Sequence, residues 1–166
     1  MEKPAILPIA EYRRFESFRE YESLVDSGIT RTESIIRVFD RELARDWNSF
    51  ERDRLLREFL LRSPANRLMI VVHQKQNLER GFSRFLALHK QFAHAVKIRE
   101  TLRVAKHVYD PFVVFDASHY VHRFHHDHMR AAQGTHDVEG AQLLLDRYAE
   151  LWEASAPAVS ADVSGL

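Results

Sequence analysis

The 166-residue chain has no cysteine, no net charge and no long apolar run. The absence of cysteine excludes disulfides, zinc–thiolate sites and thiol catalysis. Because 24 basic residues balance 24 acidic ones, net charge provides no attraction for nucleic acid or for a membrane surface. No segment approaches the ~20 apolar residues of a membrane span, and the N-terminus lacks the pattern of a secretory signal. We therefore expect a soluble, cytoplasmic protein that binds neither membranes nor nucleic acid.

The sequence has an ordinary globular composition, with 45% hydrophobic and 29% charged residues. Its length fits one domain that buries roughly 70% of the surface of the unfolded chain. Residues 1–13 contain Pro4 and Pro8 without a hydrophobic period, which predicts an N-terminal arm. Residues 156–166 are small and aperiodic and predict a disordered tail. The expected domain is therefore 14–155.

Hydrophobic periodicity and capping residues predict four helices and five strands. The first predicted helix runs from about Phe15 to Gly28. The other three begin at the caps Asn48 (with Glu51), Asn77 and Asp137. The predicted strands are 34–40, 68–72, 95–98, 112–115 and 120–124.

The order of these elements predicts an α/β fold. Apolar strands separated by helices indicate a parallel sheet that is covered on both faces. The last two strands are joined by only four residues, so they should be antiparallel. We therefore predict a mixed, largely parallel sheet with helices on both faces.

The segment Pro-Phe-Val-Val-Phe-Asp, which ends at Asp116, and the closing Tyr148, Trp152 and Ser155 resemble one half of the phospholipase D superfamily. In that superfamily an apolar strand ends in the acid of a His-x-Lys-x4-Asp signature, and the closing helix often ends in a similar aromatic pattern. The resemblance covers about residues 15–155 and implies a phospholipase D-like half. Because members of the superfamily contain two halves or pair two chains, it also implies a homodimer.

A closer resemblance is to bacterial domains of unknown function with a degenerate form of this fold. Some of these domains follow an acetyltransferase domain, so the resemblance implies an acetyltransferase-type partner domain. At the signature positions, Tyr109 replaces the nucleophilic histidine and Pro111 replaces the phosphate-binding lysine. A phenol is a poor substitute for imidazole at neutral pH, and proline has no donor. The literal His73-Gln74-Lys75 is followed by Arg80 at the acid position. The resemblance therefore implies a non-catalytic relative.

The candidate ligand-binding residues follow from where strands end. Ligands of parallel α/β sheets bind at the carboxyl ends of the strands, which predicts a pocket near Asp40, His73, Asp116 and residues 119–123. The resemblance adds His125 near the crevice. The complete candidate set is Asp116, His119, His122, Arg123, His125 and His73.

Five of the ten histidines fall within residues 119–128. In an extended strand His122, His126 and His128 share one face, and with Asp127 or Asp116 they could bind zinc, nickel or copper. The alternative is that they are structural, because no recognised ligand motif matches. A divalent metal at these three histidines is the one cofactor that the sequence suggests.

Two classes of function stay open. One is a non-catalytic binding or assembly module. The other is an enzyme, either a divergent phosphodiesterase or nuclease, or a histidine-dependent metal-binding hydrolase.

Overall fold

The computed structural model describes residues 7–125 and 127–159. The helices are α1 (Phe18–Arg31), α2 (Phe50–Arg62), α3 (Gln76–Gly81), α4 (Ser83–Gln91) and α5 (Val138–Glu153). The strands are β1 (Glu11–Phe15), β2 (Ile35–Asp40), β3 (Arg67–Val72), β4 (Val96–Thr101), β5 (Phe112–Phe115), β6 (His119–Arg123), β7 (Ala131–Thr135) and β8 (Ser155–Pro157).

The described strands form one sheet in the order β1-β7-β6-β5-β2-β3-β4-β8. The predicted α/β class with a mixed sheet is confirmed. Parallel pairing joins β2 to β3 and β3 to β4, whereas the other strand pairs of the described chain are antiparallel. The parallel part is therefore smaller than predicted and is confined to the β-α-β-α-β segment.

Both faces of the sheet are covered by helices, as predicted. Alternating strand residues divide the core, so that Val38 packs with α1, α2 and α4 while its neighbour Phe39 packs with α5. Leu56 and Phe59 of α2 are fully buried on the first face, and Tyr148 of α5 is buried on the second. Within residues 7–125 and 127–159, no helix has the length and apolarity to cross a membrane.

The helix caps differ from the prediction at two of three sites. Asp137 caps α5 as predicted, because its Oδ1 accepts a hydrogen bond from Gly140 N at 3.1 Å. The cap of α2 is Ser49, whereas the predicted cap Asn48 instead accepts from Phe85 N at the start of α4. The predicted cap Asn77 lies inside α3.

Gly28 does not end α1, which continues to Arg31. A Cβ atom at Gly28 would lie 2.3 Å from the Phe115 ring. The glycine therefore allows α1 to cross β5 closely, and it has no terminating role.

The predicted arm and tail both contribute strands. β1 pairs with β7 through residues 11–15, so the predicted boundary at residue 13 falls inside a strand. β8 pairs with β4 through residues 155–157 and includes the start of the predicted tail, while residues 160–166 lie outside the described chain.

Candidate functional site

A cavity of about 500 Å³ opens where β2 and β3 end, and we call it the carboxyl-edge cavity. β5 runs antiparallel to β2 and β6 antiparallel to β5, so the start of β5 and the end of β6 reach the same edge. Its lining residues are Asp40, Arg41, Glu42, His73, Gln74, Lys106, Tyr109 and Arg123.

Cationic side chains dominate the carboxyl-edge cavity. The Arg41 guanidinium lies 5.4 Å from the centre of the Tyr109 ring, and Arg123 lies 4.8 Å from the Phe18 ring. Lys106 Nζ donates to the backbone carbonyl of His73 at 2.7 Å. The contact with Tyr109 holds the Arg41 guanidinium over a ring face, so its N–H edge can meet an anion.

His73 lines the cavity but has no ring nitrogen left for chemistry. Its Nε2 lies 2.5 Å from the carbonyl of Val108 and its Nδ1 2.6 Å from Thr101 Oγ1. A carbonyl can only accept, so Nε2 carries the proton and Nδ1 accepts from the hydroxyl in the neutral ring. Burial lowers the pKa of His73, and the Lys106 charge adds to the effect. His73 therefore positions the segment after β4 and does not act as a base.

Asp40 is the half-buried carboxylate at the end of β2. Its Oδ1 accepts from Arg41 N at 2.7 Å. Burial raises the pKa of Asp40 to about 7, against the opposing effects of this hydrogen bond and of the Arg123 charge. The net charge of the cavity therefore increases by one unit when Asp40 takes up a proton as pH falls through neutrality.

Asp116, the acid of the signature, lies at the other end of the sheet, where β2 begins. Its carboxylate accepts from the backbone N–H groups of Glu33, Ser34 and Ile35 at 2.9 to 3.1 Å, and from Ser34 Oγ at 3.0 Å. Burial alone would raise the pKa of Asp116, but these donors outweigh it and lower the pKa. The expectation that Asp116 lies beside Asp40 and His73 is wrong, because β5 runs opposite to β2.

The predicted histidines are spread over separate surfaces. His119 lies at the Asp116 end, beside His136 with 4.5 Å between ring centres. His122 is at the carboxyl edge on the α5 side, and its Nε2 lies 2.7 Å from Asp110 Oδ2. His125 is exposed, 6.5 Å from the His128 ring.

The predicted metal set is only partly within the described chain, because His126 lies outside it. In residues 7–125 and 127–159, no three histidine or acidic side chains are grouped to hold a metal ion. The metal site at His122, His126 and His128 stays a prediction.

The structure thus brings His73 and Arg123 together, and adds Arg41, which sequence reasoning missed. The available signal was its position directly after a predicted strand at the binding edge. Tyr109 is half exposed at the mouth of this cavity, and the carbonyl of Pro111 accepts from Arg123 N at 2.8 Å.

The sequence model of a family described as a domain of unknown function, DUF7931, matches residues 30–161. The chain belongs to the DUF7931 family. No curated protein sequence matches it.

Solved structures place this DUF7931 member among phospholipase D-like folds. Nuc from Salmonella typhimurium, a phospholipase D family member, is 14% identical with a TM-score of 0.64, and the match covers 92% of this chain and all of Nuc. NucT from Helicobacter pylori is 13% identical with a TM-score of 0.64, over 90% of this chain and 99% of NucT. The archaeal chromatin protein TrmBL2, whose structure shows a novel mode of DNA binding, is 9% identical with a TM-score of 0.66. That match covers 89% of this chain, which spans only 54% of the TrmBL2 chain. At these identities the likeness concerns the fold, and the predicted phospholipase D-like fold is confirmed.

Proposed function

We propose that this DUF7931 domain is a non-catalytic binding or assembly module whose carboxyl-edge cavity holds a phosphate group or a similar oxyanion. The proposal depends on one observation: the cavity presents cationic donors around an imidazole whose two nitrogens are both engaged. Guanidinium and ammonium groups are the preferred partners of tetrahedral oxyanions. The cavity can thus bind such an anion while the ring nitrogens of His73 are not available to attack it.

The residues at the signature positions support the absence of catalysis. Tyr109 replaces the nucleophile and Pro111 the lysine. Proline provides no donor to a phosphate oxygen, and a phenol is a poor substitute for an imidazole nucleophile. That a chromatin protein such as TrmBL2 has a similar fold supports a binding role for this architecture.

The first test combines binding with turnover. We expect sulfate to shift the amide resonances of Arg41 and Gln74 in a saturable way, and Arg41→Gln and Arg123→Gln each to weaken binding about tenfold, because each removes a charged hydrogen-bond donor. Lys90→Gln, at an exposed position of α4 that does not line the cavity, is the control and should leave the affinity unchanged. Bis(p-nitrophenyl) phosphate should not be hydrolysed, with or without divalent metal ions.

Two results would contradict the proposal. Sulfate binding that is unaffected in both cavity variants would exclude the oxyanion site. Hydrolysis that disappears in Tyr109→Phe or His125→Ala would support the alternative of a divergent phosphodiesterase.

We also propose that the domain forms a homodimer, as the resemblance to a half of a two-half fold implies. Light scattering after size exclusion at micromolar concentration should give twice the 19.5 kDa mass of the chain. A single species at the mass of one chain, at the highest concentration that stays soluble, would contradict this expectation.

A further inference from the structure

A second cavity of about 450 Å³ lies at the opposite end of the sheet, and we call it the amino-edge cavity. It forms between the last turns of α1, the turn at 116–118, the start of β6 and the end of β7. Its volume is within the range of small-molecule sites. None of its lining residues is shared with the carboxyl-edge cavity.

The rim of the amino-edge cavity is held in an unusual backbone conformation. Asp116 (φ 55°) and His136 (φ 51°) are the non-glycine residues with positive φ in the described chain, and both line this cavity. Such conformations cost about 1 kcal/mol or more and persist where surrounding contacts fix them. Here Asp137 N donates to the carbonyl of Ser118 at 2.8 Å, which ties the two strained segments together.

The cavity also has cationic donors with unused capacity. The Arg31 side chain makes no ion pair or hydrogen bond within the described part of the chain and lies on the cavity wall. His119 Nδ1 accepts from His136 N at 3.2 Å, so the proton of the neutral His119 ring is on Nε2, which remains available.

The acidic residues of the rim do not cancel these donors. The Asp116 carboxylate is already satisfied by the backbone donors that precede and begin β2. Glu33, the other carboxylate on the wall, is exposed to solvent. Hydroxyl groups of Ser27, Ser118 and Thr135 complete a polar lining.

We propose that the amino-edge cavity is a second binding site, for a small hydroxylated organic anion. Arg31 and His119 Nε2 contact its anionic oxygens, and the serine and threonine hydroxyls bind its hydroxyl groups. The anionic group can be a phosphate or a carboxylate, since both match the same donors. This site is independent of the oxyanion site proposed above.

Amide chemical-shift mapping with three probes tests the proposal. Ribose 5-phosphate carries the phosphate, gluconate carries the carboxylate, and ribose is the neutral control. We expect saturable shifts at Gly28, Ser118 and Gly134 with at least one of the two anions, and none with ribose. The anion that binds more tightly shows whether the site prefers a phosphate or a carboxylate group.

Variants then assign the binding to the proposed donors. Arg31→Gln should weaken the binding about tenfold, and Arg31→Lys should restore part of it, because the charge returns without the bidentate geometry. Arg19→Gln, at an exposed position on the same helix outside the cavity, should leave it unchanged. Thermal melting confirms that each variant is folded.

The pH dependence of binding separates a ligand contact from a structural role, because it reports the protonation of His119 in the cavity. Burial lowers the pKa of His119, the His136 and Arg31 charges lower it further, and the Asp116 charge opposes them. Exposed Glu33 is the other charged residue of the cavity wall. Gluconate, whose charge is constant over the range, should therefore bind more tightly at pH 5.5 than at pH 7.5, and His119→Gln should reduce that gain. Shifts confined to Arg41, Gln74 and their neighbours, or an Arg31→Gln affinity equal to wild type, would overturn the proposal.

Discussion

Replacing Asp40 with asparagine is expected to stabilise the fold above pH 7, by about 2 to 4 kcal/mol at pH 8, and to have little effect at pH 4. Burial raises the pKa of this carboxyl from 3.8 to about 7. The folded state thus binds a proton that the unfolded state has lost between these two values. The free energy of unfolding of the wild type therefore decreases as pH rises through this window, and asparagine, which cannot ionise, removes the decrease.

Chemical denaturation at several values between pH 4 and pH 8 measures this effect. Asparagine can still accept from Arg41 N, so the local hydrogen bond is retained. The exposed Glu16→Gln is the control for a general change of charge. Parallel pH profiles for wild type and Asp40→Asn would show that Asp40 is ionised in the folded state at ordinary pH.

The same ionisation should control anion binding in the carboxyl-edge cavity. When Asp40 is neutral, Glu42 is the one remaining carboxylate among the described residues that line the cavity with Arg41 and Lys106. Sulfate, whose charge does not change near neutrality, should therefore bind more tightly at pH 6 than at pH 8. In Asp40→Asn the affinity should stay high at both values.

Substitution of Asp116 by alanine is expected to destabilise the fold by about 2 to 4 kcal/mol at pH 7, because it removes the acceptor of three backbone N–H groups. Alanine is also less suited than aspartate to the positive φ at this position. Asp116→Asn tolerates the backbone conformation and keeps one acceptor oxygen, so its loss should be smaller. Urea unfolding of the three proteins separates the two contributions.

The pH dependence provides a further check on Asp116. Its pKa is lowered in the folded state, so its stabilising contribution is present above the ordinary carboxyl pKa and is lost as pH falls through the folded value. Ordinary surface substitutions change the free energy of unfolding by no more than about 0.5 kcal/mol. An alanine variant whose free energy of unfolding at pH 7 lies within that range of wild type would contradict the anchoring role. The residue that most resembles a catalytic signature would then need another explanation.

Several features of the fold could be predicted because they have a local cause. Phe112–Phe115 is apolar at every position and buried on both faces, and Asp137 caps its helix through its own neighbours. β7, with the sequence Ala-Ala-Gln-Gly-Thr, has no such signal. Its Gly134 lies against the Tyr120 ring of the neighbouring strand, so its burial depends on a residue distant in sequence.

The candidate site was predicted in part for the same reason. Asp40 and His73 follow parallel strands, and the general rule for such sheets placed both at one edge. The direction of β5 depends on the path of residues 102–111, which carry no directional pattern. The sequence therefore predicts the wrong end of the sheet for Asp116 and His119.

The two outer strands limit how the molecule can associate. β1 carries Glu11, Arg13 and Arg14 within five residues, and β8 ends in Pro157, which has no N–H group. Charged side chains and proline at the margins of a sheet oppose the addition of a further strand. Continuous growth of the sheet into fibrillar aggregates is thus disfavoured at both margins. Self-association must then use side-chain surfaces, so we expect oligomers of a fixed small size even at high protein concentration.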